Sequence, residues 1–343
     1  MKVFFRPFRS GIDCFSAEVT FKVLQFFVKR LTQLVLVVLV VSLIVFVLTS
    51  VLGNPVYLMV RENATPEEIA AVSAYLGLDK PLYVQYWIFV KNVLNGNFGQ
   101  SYMYHLPALA LITERLPATL DIVAVAMVLS IFLGIPLGVW SGAYPKSRFS
   151  KSVMAMSIAG ISMPSFWIGM VMIYFFGLYL GILPVSGRGE TGVIFGITTS
   201  LATADGWAHI ILPSITLALG NVATIIRLTR AGMQENMRQD YVKFARAKGV
   251  PNRKVLFGHA LKNTLIPVVT VFGLQLGNLI AFTTITETIY AWPGIGKLLI
   301  DAVTSADRPI IAAYILFVAV MFVFINFIVD LLYVFIDPRI DLQ

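Results

Sequence analysis

The chain has 343 residues, of which 58% are hydrophobic and 13% charged, and its mean hydropathy is +0.82. This composition excludes an ordinary soluble domain and indicates a membrane protein. The formal net charge of +8 could suit a nucleic-acid-binding protein. The basic residues, however, are concentrated in alternate loops between apolar segments, which is typical of membrane topology and speaks against a nucleic-acid partner.

Membrane-spanning helices require about 20 consecutive apolar residues. Six charge-free stretches meet or nearly meet this length: 31–52, 122–144, 152–187, 207–226, 263–286 and 309–329. The third is long enough for one span and an apolar extension, and Pro164 predicts a kink within it. The predicted fold is an all-α membrane protein with six transmembrane helices in a lipid bilayer.

The distribution of Lys and Arg predicts the orientation. Residues 1–30 hold six, the loop after the second span three and the loop after the fourth span nine, whereas the loops after spans three and five hold three in all. Because basic loops stay in the cytoplasm, we expect both termini there. Residues 1–30 are then a cytoplasmic extension and residues 337–343 a cytoplasmic tail. The only cysteine, Cys14, excludes an internal disulfide.

Residues 53–117, between the first two spans, form a predicted extracytoplasmic insertion. Thr65, Pro66 and Glu68 fit an N-cap, a first helical residue and a capping-box glutamate. They predict an amphipathic helix over 65–76, and a second helix is expected around 83–94. The insertion is interpreted as a small cap on the outer ends of the spans, and a docking surface for an extracytoplasmic partner is a compatible alternative.

The loop at 231–262, within the five-span core of 118–336, is the most informative segment. It is much longer and more basic than a connection requires. Residues 240–249 are compatible with a helix that carries Tyr241, Phe244, Ala245 and Lys248 on one face. The sequence GVPN then predicts a turn, and a second helix continues into the fifth span. The pattern predicts a helix–turn–helix that projects from the membrane and can dock in a partner's groove.

Nine segments of the sequence together resemble one known protein family. They are GLDKPLYVQY (77–86), NFGQSY (97–102), ERLPATL (114–120), MPSFWIG (163–169), LPSITLAL (212–219), RLTRAGM (227–233), DYVKFARAKGV (240–250), HALKNTLIPVVT (259–270) and TETIYAWPGIGKL (286–298). Together they resemble the permease subunits of ABC importers of the dipeptide, oligopeptide and nickel group. The resemblance covers roughly residues 23 to 340 in register.

This resemblance implies that the loop is an EAA loop, whose helix docks on an ATP-hydrolysing subunit. Ala245 and Gly249 fit the last alanine and the glycine of the EAA pattern, whereas Lys243 and Phe244 replace its Glu-Ala. By the resemblance, the ATPase contact would be formed by Tyr241, Ala245, Arg246, Ala247, Gly249 and Val250. The end of the loop would be marked by His259, Asn263 and Pro267.

The resemblance also implies partners and a location. It implies a bacterial inner-membrane subunit that works with a second related permease, two ATPases and an extracytoplasmic substrate-binding protein, with spans two to five lining the path. The substrate would be a peptide or a similar small solute, such as a glutathione-like molecule or a nickel chelate. Because no Walker-type phosphate-binding sequence occurs, we expect no ATP site in this chain. We also expect no cofactor, and no catalytic residue because no nucleophile–base constellation is recognisable.

Polar residues within the spans allow two interpretations. Side chains near span centres either bond between helices or line the substrate path; these are Asn221, Gln275, Asn278 and Asn326. Charged residues near span ends can reach water, which speaks against a proton relay; these are Asp121, Glu287 and Asp330. We expect Glu287, which precedes the Trp-Pro-Gly at 292–294, to serve as an outer gate or to fold the adjacent loop.

Two alternatives to an importer subunit remain at this point. An ion-coupled secondary transporter would favour charges at the bilayer midplane and broken helices in related halves. A polytopic membrane enzyme would need a catalytic constellation, and none is recognisable in the sequence. The three histidines, His105, His209 and His259, lack metal-ligand spacing, so no metal site is predicted. Arg227 and Arg230 are interpreted as membrane-surface anchors.

Overall fold

The described part of the chain is built almost entirely from helices. The computed structural model describes residues 11–51, 56, 64–75 and 77–336. In chain order its helices are α1 (Gly11–Val51), α2 (Pro66–Tyr75), α3 (Leu82–Leu94), α4 (Ala108–Ala143), α5 (Arg148–Ser162), α6 (Ser165–Met172), α7 (Ala204–Asn236), α8 (Asp240–Ala247), α9 (Asn252–Lys254), α10 (Leu261–Ile289), α11 (Ile295–Thr304) and α12 (Arg308–Ile336).

Short irregular elements complete the chain path. A π-helical segment, Ile173–Tyr179, extends α6, and a second one, Val255–Ala260, joins α9 to α10. Between α6 and α7 lie an antiparallel hairpin of β1 (Gly192–Ile194) and β2 (Ile197–Thr199) and a 3-10 turn. The predicted tail at 337–343, the segment 57–63 and the side chain of Asp330 lie outside the described residues.

Five described helices are long and apolar enough to cross a membrane. They contain the stretches Val28–Leu48, Ala108–Ala143, Ala204–Asn236, Pro267–Ile289 and Arg308–Val329. The helix pair α5 and α6 meets the same test jointly but is bent by 107°, so the bundle has six spans if this pair is one broken span. The all-α membrane fold is therefore confirmed.

The kink predicted at Pro164 is present and is a complete break of the helix. Met163 and Pro164 both have extended backbones, with ψ of 132° and 138°, so α5 ends and α6 begins anew. The residue before a proline is driven out of the helical region, and proline offers no N–H to continue the ladder. At the other end of the chain, α1 extends back to Gly11 and so includes much of the predicted N-terminal extension.

The centre of the bundle is the close packing of α4 on α7. Gly134, Gly138 and Gly142 are spaced four residues apart, which places them on one face of α4. A Cβ at Gly138 would lie 2.5 Å from the Cβ of Thr229, and one at Gly142 would lie 2.5 Å from that of Met233. Small residues at this spacing allow two membrane helices to approach backbone to backbone. The spans two and four therefore form the tightest pair.

The two predicted helices of the insertion are present. The capping box of α2 is formed, since the N–H of Glu68 donates to Thr65 Oγ1 at 3.2 Å and the N–H of Thr65 donates to Glu68 Oε2 at 3.1 Å. Helix α3 packs on α1, with the hydroxyls of Tyr86 and Ser42 2.9 Å apart. The insertion therefore covers the end of the first span.

Candidate functional site

The loop between α7 and α10 folds as the sequence predicts. Helix α8 ends in a tight turn in which the N–H of Gly249 donates to Arg246 O at 2.9 Å and the N–H of Val250 donates to Ala245 O at 3.1 Å. This is the Schellman arrangement, which requires a left-handed residue at its turn. Gly249 supplies it with a φ of +77°. The glycine is therefore demanded by the backbone conformation.

One face of α8 packs inside the loop. Val242, Ala245 and Val255 form a small buried cluster, against which Met237 and Val250 pack. Ala245 is only 7% exposed. Its small side chain lets α8 lie close to the start of the π-helical segment, so in this arrangement it contributes to the loop's own core.

The opposite face of α8 is exposed. We call this face the α8 surface; its exposed members are Tyr241, Phe244, Arg246, Ala247, Lys248 and Gly249. Phe244 is 61% exposed, and the Lys248 ammonium lies 4.5 Å from the centroid of its ring. A Cβ at Gly249 would meet nothing within 4 Å. Exposed aromatic rings and arginines, here Tyr241, Phe244 and Arg246, are enriched at protein-binding surfaces.

The charges of Asp240 and Lys243 on α8 lie at the surface. Lys243 Nζ lies 2.8 Å from Asp240 Oδ1, and both side chains are mostly exposed. The hydrogen bond from Lys243 and the charge of its ammonium lower the pKa of Asp240. Such exposed pairs contribute little to stability because water and salt screen them.

The base of the loop is closed by hydrogen bonds that the sequence did not reveal. The Tyr241 hydroxyl donates to Asn236 Oδ1 at 2.8 Å and accepts from Asn263 Nδ2 at 3.0 Å. Asn236 Nδ2 donates to Thr264 Oγ1 at 3.1 Å. These contacts join α8 to the ends of both α7 and α10. Asn236 lies among polar residues in the sequence, so no pattern marked it.

Two more contacts place the loop relative to the bundle. Asn252 Nδ2 donates to the hydroxyl of Tyr144, at the end of α4, at 3.2 Å. His259, one of the predicted loop residues, lies in the π-helical segment and is exposed. We call the end of the bundle that carries α8 the loop side and the opposite end the far side.

On the far side, Glu287 lies at the centre of a buried polar cage. Its side chain is fully buried, and its carboxylate accepts from Thr119 Oγ1 at 2.6 Å and from the Lys297 N–H at 2.8 Å. The carboxylate thus caps the N-terminus of α11, where a negative charge is stabilised. Gly294 allows this approach, since a Cβ there would lie 2.3 Å from the carboxyl carbon. Fully buried Trp292 donates from Nε1 to Ala118 O at 2.8 Å.

A second buried carboxylate fastens the hairpin to α4. Asp121 is 6% exposed and accepts from Arg188 Nη2 at 2.8 Å, from Thr199 Oγ1 at 2.6 Å and from the Ser200 N–H at 3.0 Å. The expectation that this charge and that of fully buried Glu287 reach water is therefore wrong. The buried charge of Asp121 is compensated by Arg188 and by the turn after β2. Only the tertiary fold brings these groups together.

The four polar residues near span centres do not converge on one site within this chain. Asn221 is buried and donates to Leu217 O, in its own helix, at 3.4 Å. Gln275 is half-buried, and Asn278 is exposed on a face of α10 that also exposes Leu274 and Phe282. Asn326 borders a cavity between α1 and α12. Among the described residues, no three His, Cys, Asp or Glu side chains are placed to hold a metal ion.

Comparison with protein families matches both parts of the chain. Residues 134–342 match the family described as "Binding-protein-dependent transport system inner membrane component". Residues 23–123 match the family of N-terminal regions of such membrane components. The two matches together cover most of the chain, and the resemblance read from the sequence is confirmed.

Similar curated proteins extend the match to nearly the full length. The di/tripeptide transport system permease of Pseudomonas aeruginosa (strain UCBPP-PA14) is 42% identical over 335 residues, 93% of this chain and 99% of that protein. The dipeptide transport system permease of Escherichia coli (strain K12) is 37% identical over 334 residues, covering 92% and 98%. The glutathione transport system permease of the same strain is 36% identical over 318 residues, covering 92% and 99%.

A solved structure supports the same fold. The MetNI methionine ABC transporter, in an inward-facing conformation, contains a chain that aligns with a TM-score of 0.51 and 18% identity. The alignment covers 66% of this chain and 96% of that one. Taken with the family matches, the helical bundle and the loop fold lead to one conclusion: this chain belongs to the family of inner-membrane components of binding-protein-dependent transport systems.

Proposed function

We propose that this chain is the permease subunit of an ATP-driven importer of short peptides, coupled to separate ATPase subunits through the α8 surface. The observation that carries the proposal is that α8 packs on the loop's own core with one face and exposes the other. The exposed face presents Phe244, Arg246 and Ala247 on the loop side. Family membership argues against the ion-coupled alternative.

The contacts of the loop explain how force on α8 would reach the spans. Tyr241 links α8 to Asn236 on α7 and to Asn263 on α10. A push on the α8 surface would therefore tilt spans four and five together. A partner can shift such an equilibrium only as far as its affinity differs between the two permease states. ATP binding to partner ATPases supplies this difference in the proposed mechanism.

The loop side and the far side of the bundle are proposed to bind different partners. The loop side faces the cytoplasm, because its loops carry the excess of Lys and Arg, and both termini lie there. Two ATPases bind on that side, and an extracytoplasmic substrate-binding protein binds on the far side. A second related permease completes the path, against faces such as that of Asn278 on α10. In this scheme the chain itself neither binds nor hydrolyses ATP.

The proposed substrate class is supported by the names of the relatives. Two are named for dipeptides or di- and tripeptides, and one for glutathione, which is itself peptide-like. We therefore place di- and tripeptides first. The experiment is uptake of labelled dipeptides, tripeptides, free amino acids and nickel chelates into proteoliposomes that hold the complete transporter and its binding protein. Uptake restricted to amino acids or to nickel chelates would overturn the substrate assignment.

Ala247 offers a sharp test of coupling. It is exposed on α8, so Ala247→Trp adds bulk to the surface and leaves the cluster around Ala245 intact. The matched control is Ala71→Trp, the same change at an exposed helical position on the far side. We expect Ala247→Trp to reduce ATPase co-purification and transport at least roughly tenfold, the effect of about 1.4 kcal/mol at an interface. Gly249 is a poorer probe, because its positive φ strains any replacement.

The two readouts separate docking from folding. Folded Ala247→Trp chain, judged by its size-exclusion profile, should persist without its ATPases, and Ala71→Trp should keep them. Normal ATPase association in Ala247→Trp would place the coupling contact elsewhere.

A further inference from the structure

A large cavity opens between α1 and the last three helices. It has a volume of about 1130 Å³ and is bordered by α1, α10, α11 and α12. Its walls are mostly aliphatic and aromatic, for example Val37, Val41, Val318 and Phe322. Its most polar border consists of Arg30, Gln33 and Asn326, and the hydroxyl residues Thr284 and Tyr314 line the cavity nearer the other end. The volume exceeds the range of about 300–1,000 Å³ typical of pockets for drug-sized ligands.

The polar border lies at the loop-side end of the cavity. The α12 helix begins on the far side, next to the start of α4. Asp307, just before α12, accepts from Ser101 Oγ at 2.5 Å. The same segment reaches α4, because the Ala108 N–H at the start of α4 donates to Gly99 O at 3.0 Å. Asn326 is 18 residues beyond Arg308, and Arg30 is 18 residues before Leu48. At 1.5 Å per residue, both lie about 27 Å from the far ends of their spans.

The cavity therefore combines a polar end with a long apolar wall, which matches the headgroup and the acyl chains of a membrane lipid. Arg30 donates a 3.3 Å hydrogen bond to Gln33 Oε1 at the loop-side end of the cavity. Beyond them the apolar wall of α1 continues from Leu34 to Val41, a length of about 10 Å at 1.5 Å per residue. A guanidinium recognises phosphate well, and acyl chains fill apolar space within the bilayer.

We propose that this cavity binds an anionic phospholipid of the loop-side leaflet, with its phosphate at Arg30 and an acyl chain between α1 and α12. A transported peptide fits the cavity poorly. It would need partners for two terminal charges and for its amide groups, and burying these without partners is costly. The lipid would fill the space between the first span and the rest of the bundle. The inference is independent of the proposed substrate.

The test is lipid binding to the complete purified transporter. The delipidated complex is titrated with phosphatidylglycerol or phosphatidylcholine in detergent and examined by native mass spectrometry. Arg30→Gln should weaken phosphatidylglycerol binding about fivefold, because it removes the charge-assisted hydrogen bonds from the guanidinium to the phosphate. Lys29→Gln is the matched control, because Lys29 is exposed, adjacent and absent from the cavity wall.

A second pair of variants tests the acyl chain. Ala319 borders the cavity, whereas the neighbouring Val320 is 42% exposed and does not. Ala319→Trp should fill the cavity and abolish retention of the lipid, and Val320→Trp should leave it unchanged. A photoreactive benzoylphenylalanine at Val318 should crosslink to lipid.

Three results would overturn the proposal. The first is equal binding of the two lipids to the wild type, and the second is equal weakening by Arg30→Gln and Lys29→Gln. The third is a crosslink from position 318 to another subunit, which would make the cavity a protein interface. If Ala319→Trp fails to assemble, the Arg30 and Lys29 comparison alone decides.

Discussion

The two ends of this bundle are held together in different ways. On the far side, buried carboxylates are satisfied by several donors: Glu287 by Thr119 and the start of α11, and Asp121 by Arg188 and the turn after β2. On the loop side, the polar contacts of Tyr241 lie near the surface, and the apolar cluster around Ala245 is small.

This difference indicates a division of roles. Fully satisfied buried polar networks favour one arrangement strongly, because breaking any member leaves an unpaired group. Exposed hydrogen bonds exchange with water at little cost. We therefore expect the far side to act as a fixed frame and the loop side to adapt to its partner. Each variant below tests one side of this comparison.

The largest effect is expected from Glu287→Ala. The change leaves the Thr119 hydroxyl and the Lys297 N–H without their acceptor inside the protein, at a cost of about 3 kcal/mol or more. Thermal unfolding in detergent should show a strongly lowered midpoint or loss of folded protein. The control is Glu235→Ala, at an exposed position near the end of α7. A stable Glu287→Gln variant without transport would instead support a gating role.

A smaller loss is expected from Asp121→Asn. The neutral amide keeps part of the hydrogen bonding but leaves the largely buried Arg188 without its counter-charge. We expect a loss of about 2 kcal/mol in the free energy of unfolding. Adding Arg188→Met should restore part of the lost free energy of unfolding, and a double-mutant cycle measures the coupling between the two residues. Strict additivity of the two changes would show that the pair is not coupled.

On the loop side, Tyr241→Phe should affect coupling more than stability. The variant loses the bonds to Asn236 and Asn263 but keeps the ring. We expect about 1 kcal/mol of lost coupling, seen as roughly fivefold less transport per ATP hydrolysed. Tyr83→Phe, on an exposed position of α3, is the control. An unchanged ratio of transport to hydrolysis would mean that force bypasses these bonds.

The smallest effect is expected from Lys243→Met, which removes the exposed ion pair with Asp240. Because Lys243 lowers the pKa of Asp240, the contribution of the pair is complete above the ordinary pKa of an aspartate, about 3.9, and is lost as pH falls through the lowered pKa. Lys243→Met should remove this slight acid dependence and leave the unfolding midpoint at neutral pH unchanged. A drop of several degrees there would show that α8 is less adaptable than proposed.

Features that depend on local backbone geometry were predictable from the sequence, and features that depend on distant contacts were not. The helix–turn–helix at 240–262 was predictable because Gly249 and Pro251 act through local backbone geometry. The capping box at Thr65 was predictable for the same reason. Pro164 was recognised as a disruption, but the size of the bend was not, because it depends on what α5 and α6 pack against. Asp121 was misjudged since its partners, Arg188 and Ser200, are about 70 to 80 residues away.

By itself, the sequence determined that this protein lies in a membrane, which five segments are long and apolar enough to cross it and where the basic loop turns. These properties follow from apolar length, charge and local backbone preference, which act within a few residues. Only the tertiary structure decided that Ala245 is buried in the loop's own core, that Tyr241 ties two spans together and that Glu287 accepts a hydrogen bond from Thr119, 168 residues away in the chain. Such contacts depend on how segments far apart in the chain pack, and no local pattern records that.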